Sequence, residues 1–209
     1  MAWTREKRRE AGKGFDRERA KSHSPLMPTV DVIGGPNGAG KTSLAYQLLP
    51  AALCRRFVNA DEIAAGLSPF VVDAARVRAG RLMLRQIREL AAGREDFAFE
   101  STLSSRILVR FLRDLRRDGY RIHLTYLYLH SANLALQRVH SRVRCGGHGI
   151  PERDVERRYR RSMKNLGKDY LPLADQWRVY DNSAGALRVI ARGDRCETVI
   201  SDQTTWQRM

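Results

Sequence analysis

The chain has 209 residues, 43% of them hydrophobic, which suits one globular domain with a tail. No apolar run reaches the roughly 18–20 residues of a membrane span, and the charged stretch Met1–Ser24 lacks the apolar core of a secretory signal, so a cytoplasmic protein without membrane partners is expected. Cys54, Cys145 and Cys196 are scattered without ligand spacing, against a disulfide framework or a structural zinc site, while a formal net charge of +15 suits polyanionic partners such as nucleic acid or nucleotides.

Residues 1–25 are basic and poor in apolar positions and read as a tail; residues 26–209 read as the domain. Thr29–Ile33 is apolar and predicts a buried strand, Gly34–Gly40 a glycine-rich turn, and Lys41–Leu49 a helix closed by Pro50. Arg56–Asn59 reads as a short strand before the acidic pair Asp61–Glu62. Helical spacing runs through Ala74–Ala92 and Ile107–Arg117, with strands predicted at Asp96–Ser101 and Arg121–Leu129. Leu134–Val143 is helical, Cys145–Gly149 is a break, and Pro151 opens a very basic helix to about Leu171. Trp177–Tyr180 and Leu187–Ala191 are late strands. Strands alternating with helices imply a mostly parallel sheet covered on both faces, here a P-loop α/β/α sandwich.

The most specific pattern is Gly35-Pro36-Asn37-Gly38-Ala39-Gly40-Lys41-Thr42, which fits G-x-x-x-x-G-K-[ST] in full and continues into Ser43. Glycines let backbone N–H groups approach phosphate oxygens, and the following helix points its positive end at the same anion. Lys41 supplies a mobile charge for the β- and γ-phosphates, and Thr42 offers a hydroxyl to Mg²⁺. The expected cofactors are ATP and Mg²⁺, and the expected reaction is transfer of the γ-phosphate to a small hydroxyl acceptor.

Ligands of an open parallel sheet bind beyond the carboxyl ends of its strands, where Asp61 and Glu100 fall. Either acid suits the acceptor's proton or Mg²⁺ and its waters; the alternatives are a helix N-cap for Asp61 and a solvent-facing strand end for Glu100. Thr102, Ser104 and Arg106 follow in a loop placed to hold the acceptor. Arg138 and Arg142 share a helix face, Arg144 enters the glycine break, and Arg157, Arg158, Arg160 and Arg161 crowd the next helix. Such arginines around a glycine hinge suit a closing lid that grips phosphate, or else a solvated face paired with Glu152, Asp154 and Glu156. His148, in the break, reads as a structural loop residue.

Taken in order, GGPNGAGKTS (34–43), NADEIA (59–64), FAFESTLSSR (97–106), RVHSRVRCGGHGIPE (138–152), RRYRRSMKNL (157–166) and YDNS (180–183) resemble the zeta toxin family of P-loop kinases, in its compact chromosomal form. The resemblance implies a fold like that of nucleoside monophosphate kinases with an arginine-rich lid. The best-known members phosphorylate the 3′-hydroxyl of the aminosugar in UDP-N-acetylglucosamine, and an antitoxin protein is an implied partner. It further implies Asp61 as catalytic base, Lys41 and Thr42 on Mg·ATP, and Glu100, Thr102 and Arg106 around the acceptor. Arg138 is similar in placement to an adenine-stacking arginine, and Arg142, Arg144, Arg158 and Arg161 to phosphate-facing lid residues, with Tyr180–Ser183 near the adenine. The acidic loop and the segment after Glu100 depart from the plasmid-borne type, so the acceptor does not carry over. A nucleic-acid-directed P-loop protein, such as a polynucleotide-end kinase, is the alternative favoured by the charge; a regulatory ATP-binding module with little turnover is a third.

Overall fold

The structure, a computed structural model, describes residues 27–49, 54, 56–68, 72–147 and 149–209. The basic tail at 1–25, Pro50 and His148 lie outside the described residues. The strands are β1 (Thr29–Gly34), β2 (Phe57–Val58), β3 (Phe97–Ser101), β4 (Arg121–Tyr128), β5 (Gln176–Asp181), β6 (Arg188–Asp194) and β7 (Thr198–Ile200). They form one sheet in the order β2-β3-β1-β4-β5-β6-β7. The first five are parallel, and β6 and β7 are antiparallel additions. All six residues of β1 are buried, as befits a central strand covered on both faces.

The helices are α1 (Lys41–Leu48), α2 (Ala60–Leu67), α3 (Val72–Ala92), α4 (Ile107–Arg117), α5 (Ala132–Arg144), α6 (Glu152–Asn165) and α7 (Gln203–Gln207). The chain leaves β1 toward β2 on one side and returns through β3 to β4 on the other. The ends of β1 and β3 therefore open on a topological switch point, the usual ligand position in such sheets. The main core joins Phe97, Phe99, Phe111, Leu112 and Tyr126, so α4 and the sheet share one apolar interior. A second core under α5 and α6 gathers Leu44, Leu127, Ala135, Val139 and Val155.

The structure adds to the sequence reading in four places. Helix α2 gives a weak periodic signal because only Ala64 is buried; it closes on α3 through Ala64, Ala75 and Ala79, whose small side chains permit close approach. The helix expected to run to Leu171 ends at Asn165 and continues as a wider turn over Leu166–Tyr170 and a tight one over Leu171–Leu173. Strands β5 and β6 are antiparallel because the short link between them cannot make a crossover. Strand β7 and helix α7 are new, and α7 is fixed by Trp206, whose ring stacks on Trp177 at 5.7 Å.

Candidate active site

The glycine-rich turn leaves β1 at the centre of the sheet. A Cβ at Gly35 would lie 2.6 Å from the Leu127 carbonyl oxygen. Gly38 has a φ of +75°, and a Cβ there would lie 2.9 Å from the Ala135 carbonyl oxygen. Both positions demand glycine, and the loop they shape delivers its backbone to the N-terminus of α1. Pro36, Ala39 and Gly40 complete the turn, and Asn182 donates from Nδ2 to the Ala39 carbonyl at 2.8 Å, holding the loop from the far side.

Lys41 is buried at the first position of α1, and its Nζ donates to the Pro36 carbonyl at 3.2 Å. Burial pushes its pKa down, opposed by the negative charges of Glu100 and Asp61. An ammonium kept out of water with so little compensation is stabilised by an incoming anion. Thr42 Oγ1 donates to Glu100 Oε2 at 2.7 Å, joining the first turn of α1 to the end of β3. Burial holds the Glu100 carboxyl above its ordinary range, against the pull of Lys41 and the Thr42 hydroxyl.

These two oxygen donors fit Mg²⁺, a hard cation that takes few protein ligands and keeps substrate phosphates and water in the rest of its shell. Among the described residues no group of three or more His, Cys, Asp and Glu gathers to cage a metal. Asp61 is the second residue of α2 and is exposed. The cap of that helix is Asn59, whose Oδ1 accepts the Asp61 N–H at 2.8 Å, leaving the Asp61 carboxylate uncommitted to capping.

Lys41, Asp61, Glu100, Thr102 and Arg158 share one cavity of about 240 Å³ beyond the strand ends. Burial lowers the Arg158 pKa, which the neighbouring Asp154 offsets in part. The loop after Glu100 is held in an unusual conformation. Leu103 is fully buried with a φ of +54°, a left-handed backbone that costs a side-chain-bearing residue about 1–3 kcal/mol. Its N–H donates to Ser101 Oγ at 3.0 Å and its carbonyl accepts from Asn165 Nδ2 at 2.9 Å. The neighbouring hydroxyls of Thr102 and Ser104 bond each other at 2.8 Å.

The other expected arginines divide. Arg138 Nη2 donates to the Asn182 carbonyl at 2.7 Å and the Ser183 carbonyl at 3.1 Å, and Nη1 reaches the Gly38 carbonyl at 3.5 Å. Its in-plane donors thus tie the phosphate loop to the 182–183 turn and leave the guanidinium faces for stacking. That side holds a second hollow, lined by Ser43, Leu44, Gln47, Leu127, Asn182 and Leu187. Arg142 is close enough to bear on the charge of Lys41, but Arg142, Arg144 and Arg161 are exposed and outside the lining of the 240 Å³ cavity. Arg106 is exposed too, with a loose 4.0 Å approach to Asp169, and is not brought to the cavity wall.

Sequence reasoning missed several contributors. Arg76 on α3 donates from Nη2 to the Gly149 carbonyl at 2.5 Å, bridging α3 to the link between α5 and α6; nothing distinguishes it in sequence from the other α3 arginines. Met83, Leu84, Ile107 and Leu108 line the cavity, although their spacing signals only a core face. Asn59, by contrast, was readable as an N-cap, being an asparagine just before a first turn that carries two acids.

A parallel sheet of this order with a filled-out P-loop, a Thr–Glu oxygen pair and a lysine at one cavity defines the P-loop kinase fold class. The zeta toxin profile matches residues 15–187, and the chain belongs to the zeta toxin family. An uncharacterized protein of Haemophilus influenzae is 30% identical over 125 residues, which is 60% of this chain and 88% of that protein. A chain of the AvrRxo1-ORF1:AvrRxo1-ORF2 complex with sulphate superposes with a TM-score of 0.73 at 14% identity, covering 97% of this chain and 69% of that one. The PezAT chromosomal toxin–antitoxin system of Streptococcus pneumoniae gives 0.60 at 14% identity, covering 96% and 86%.

Proposed function

We propose that the protein transfers the γ-phosphate of Mg·ATP to a hydroxyl of a small acceptor. The observation that carries this reading is the cavity that joins Lys41, Glu100 and Arg158 to an uncommitted carboxylate, Asp61, at the mouth of the phosphate loop. Bound Mg·ATP supplies the phosphoryl group and the metal's charge. Gly35, Pro36, Asn37, Gly38, Ala39, Gly40 and Ser43 offer backbone and polar groups to the phosphates, and Thr42 and Glu100 hold the cation. Arg138 seats the nucleobase. Asp61 takes the acceptor's proton, while Lys41 and Arg158 face the charge of the transferring group. Arg142, Arg144 and Arg161 approach when the link between α5 and α6 closes over the nucleotide. Thr102 and Arg106 meet the acceptor, the latter after the 101–106 loop tightens.

The AvrRxo1 complex is also known with ATP, at a TM-score of 0.71, which supports ATP as the donor in this fold. The pneumococcal relative is named as part of a toxin–antitoxin system, which supports an antitoxin partner and a toxic activity here. UDP-N-acetylglucosamine is the acceptor that the family resemblance suggests; the small cavity favours something more compact. The net charge of +15 favours a second reading, a kinase acting on polynucleotide ends.

Asp61→Asn separates binding from chemistry. Loss of general-base action is expected to lower transfer by about 10²–10⁴-fold, with ATP affinity, measured calorimetrically, within about threefold of wild type. Loss of ATP binding in that variant would assign Asp61 to the nucleotide or its metal instead.

A further inference from the structure

We infer that Tyr46 is a positioning residue: its hydroxyl, bound to Glu62, sets the rotation of α2 and so the direction in which Asp61 presents its carboxylate. The inference rests on the kinase reading and deepens it at the base. A base needs a fixed direction, yet Asp61 is exposed and its helix is weakly held. Helix α2 has eight residues, and Ala64 is the one that is buried. It meets α3 through Ala64, Ala75 and Ala79. Alanines let two helices approach closely, but they present no ridge that resists turning. The Asn59 cap fixes where α2 begins, through a single backbone N–H, and leaves its rotation loosely defined.

The further constraint comes from α1. Tyr46 lies four residues after Thr42, one turn on along the same face of that helix. The Thr42 hydroxyl donates to Glu100 and the Tyr46 hydroxyl donates to Glu62 Oε1. One face of the phosphate-loop helix thus holds both the end of β3 and the first turn of α2. Tyr46 is 61% exposed, so burial does not account for the place of its ring. Phe57 meets that ring edge-on, with centroids 6.1 Å apart at 70°, and steadies it. The bond to Glu62 raises the phenol above its ordinary value, so Tyr46 stays a donor through the neutral range. Adjacent residues of an α-helix point about 100° apart, so tying Glu62 to α1 also fixes the heading of Asp61. Asp61 lines the cavity, whereas Glu62 is outside its lining. From there Asp61 bears on the charges of Lys41, Glu100 and Arg158. The bond therefore sorts the acidic pair: Glu62 is engaged by the phenol, and Asp61 is left for the acceptor's proton. Proton transfer needs hydrogen-bond reach, so a small turn of α2 costs far more in rate than in stability.

The test follows γ-phosphate leaving Mg·[γ-³²P]ATP, to water or to the compounds of a small-metabolite extract, with the full-length protein. Lys41→Ala and Asp61→Asn are the controls. Tyr46→Phe removes only the hydroxyl and should lower kcat at least about tenfold. It should leave the KM for ATP within about twofold and the melting temperature within about 2 °C of wild type. Glu62→Leu should reproduce the loss from the other side of the bond. Glu62→Gln, whose amide oxygen still accepts, should stay within about threefold of wild type. In the Asp61→Asn background, Tyr46→Phe should cost less than about twofold more, because the group it positions is gone. A full-sized further loss in that background, or no loss in Tyr46→Phe and Glu62→Leu, overturns the inference and leaves the kinase reading standing. A rate unchanged in Asp61→Asn removes Asp61 as the base, and the inference with it. A rate that Lys41→Ala does not lower brings down the kinase reading itself.

Discussion

At the scale of single residues the site holds charges in unfavourable surroundings. Burial raises the Glu100 carboxyl above its ordinary range and lowers the Lys41 ammonium below its own. A carboxyl whose pKa is higher folded than unfolded takes stability away as pH rises from the ordinary carboxylate range through its folded value, and takes none below both. The melting temperature of nucleotide-free Glu100→Gln, relative to wild type, should therefore climb between pH 4 and pH 8. A rise of about 2–4 °C is what ~1 kcal/mol produces in a domain of this size. A difference that stays flat or falls over that range would contradict the burial argument. In the presence of Mg·ATP the order should invert, because the variant loses a cation ligand. The strained Leu103 yields a second expectation. Asn165→Ala removes the donor to its carbonyl and should cost about 1–3 kcal/mol. In steady-state kinetics it should raise the KM for the acceptor more than that for ATP, because the loop it holds lines the cavity through Ser101, Thr102 and Ser105, where the acceptor is proposed to bind. At this scale the phosphate loop, Asp61 and Glu100 were legible in sequence, since each needs a specific side chain at a strand end. Asn165 and Leu103 were not, because their roles arise from a contact between chain segments 62 residues apart.

At the scale of elements, α3 and α6 both line the cavity, and Arg76 ties α3 to the link that precedes α6. Its hydrogen bond to Gly149 links α3 to the segment proposed above to close over the phosphates. Helix α6 is itself anchored: Val155 is fully buried and the Tyr159 hydroxyl donates to the Leu129 carbonyl at 2.7 Å. With α6 fixed in this way, the closure proposed above falls to the short stretch between α5 and α6. Arg76→Met should loosen that stretch, lowering kcat for transfer by about tenfold, or roughly 1.4 kcal/mol. It should also raise the share of ATP lost to water, read as free phosphate per phosphorylated product. Unchanged coupling between ATP use and product would assign Arg76 to stability alone. The five parallel strands and most helices were readable from alternating β and helical periodicities. Helix α2 escaped because alanines and a glycine carry no periodic contrast, and β7 because all three of its residues are exposed. The arginine clusters were visible as charge, yet sequence could not separate Arg158, which reaches the cavity, from Arg161, which stays at the surface.

At the scale of the whole molecule, a net charge of +15 surrounds a cavity that carries both signs of charge. The exposed arginines attract polyanions without reading them, and such attraction is screened by salt. Binding to a short single-stranded RNA, measured by fluorescence anisotropy, should weaken at least about tenfold between 50 and 200 mM salt and be indifferent to Lys41→Ala. RNA affinity that depended on Lys41 would place the polymer in the catalytic cavity and favour the polynucleotide reading. The central claim concerns the fate of one phosphoryl group, and it is tested most directly by following label from Mg·[γ-³²P]ATP incubated with a small-metabolite extract. The expected result is label in an organic product distinct from inorganic phosphate, lost without Mg²⁺ and in Lys41→Ala. Label found solely as inorganic phosphate, or retained in ATP, would contradict a kinase and leave a nucleotide-binding protein in its place.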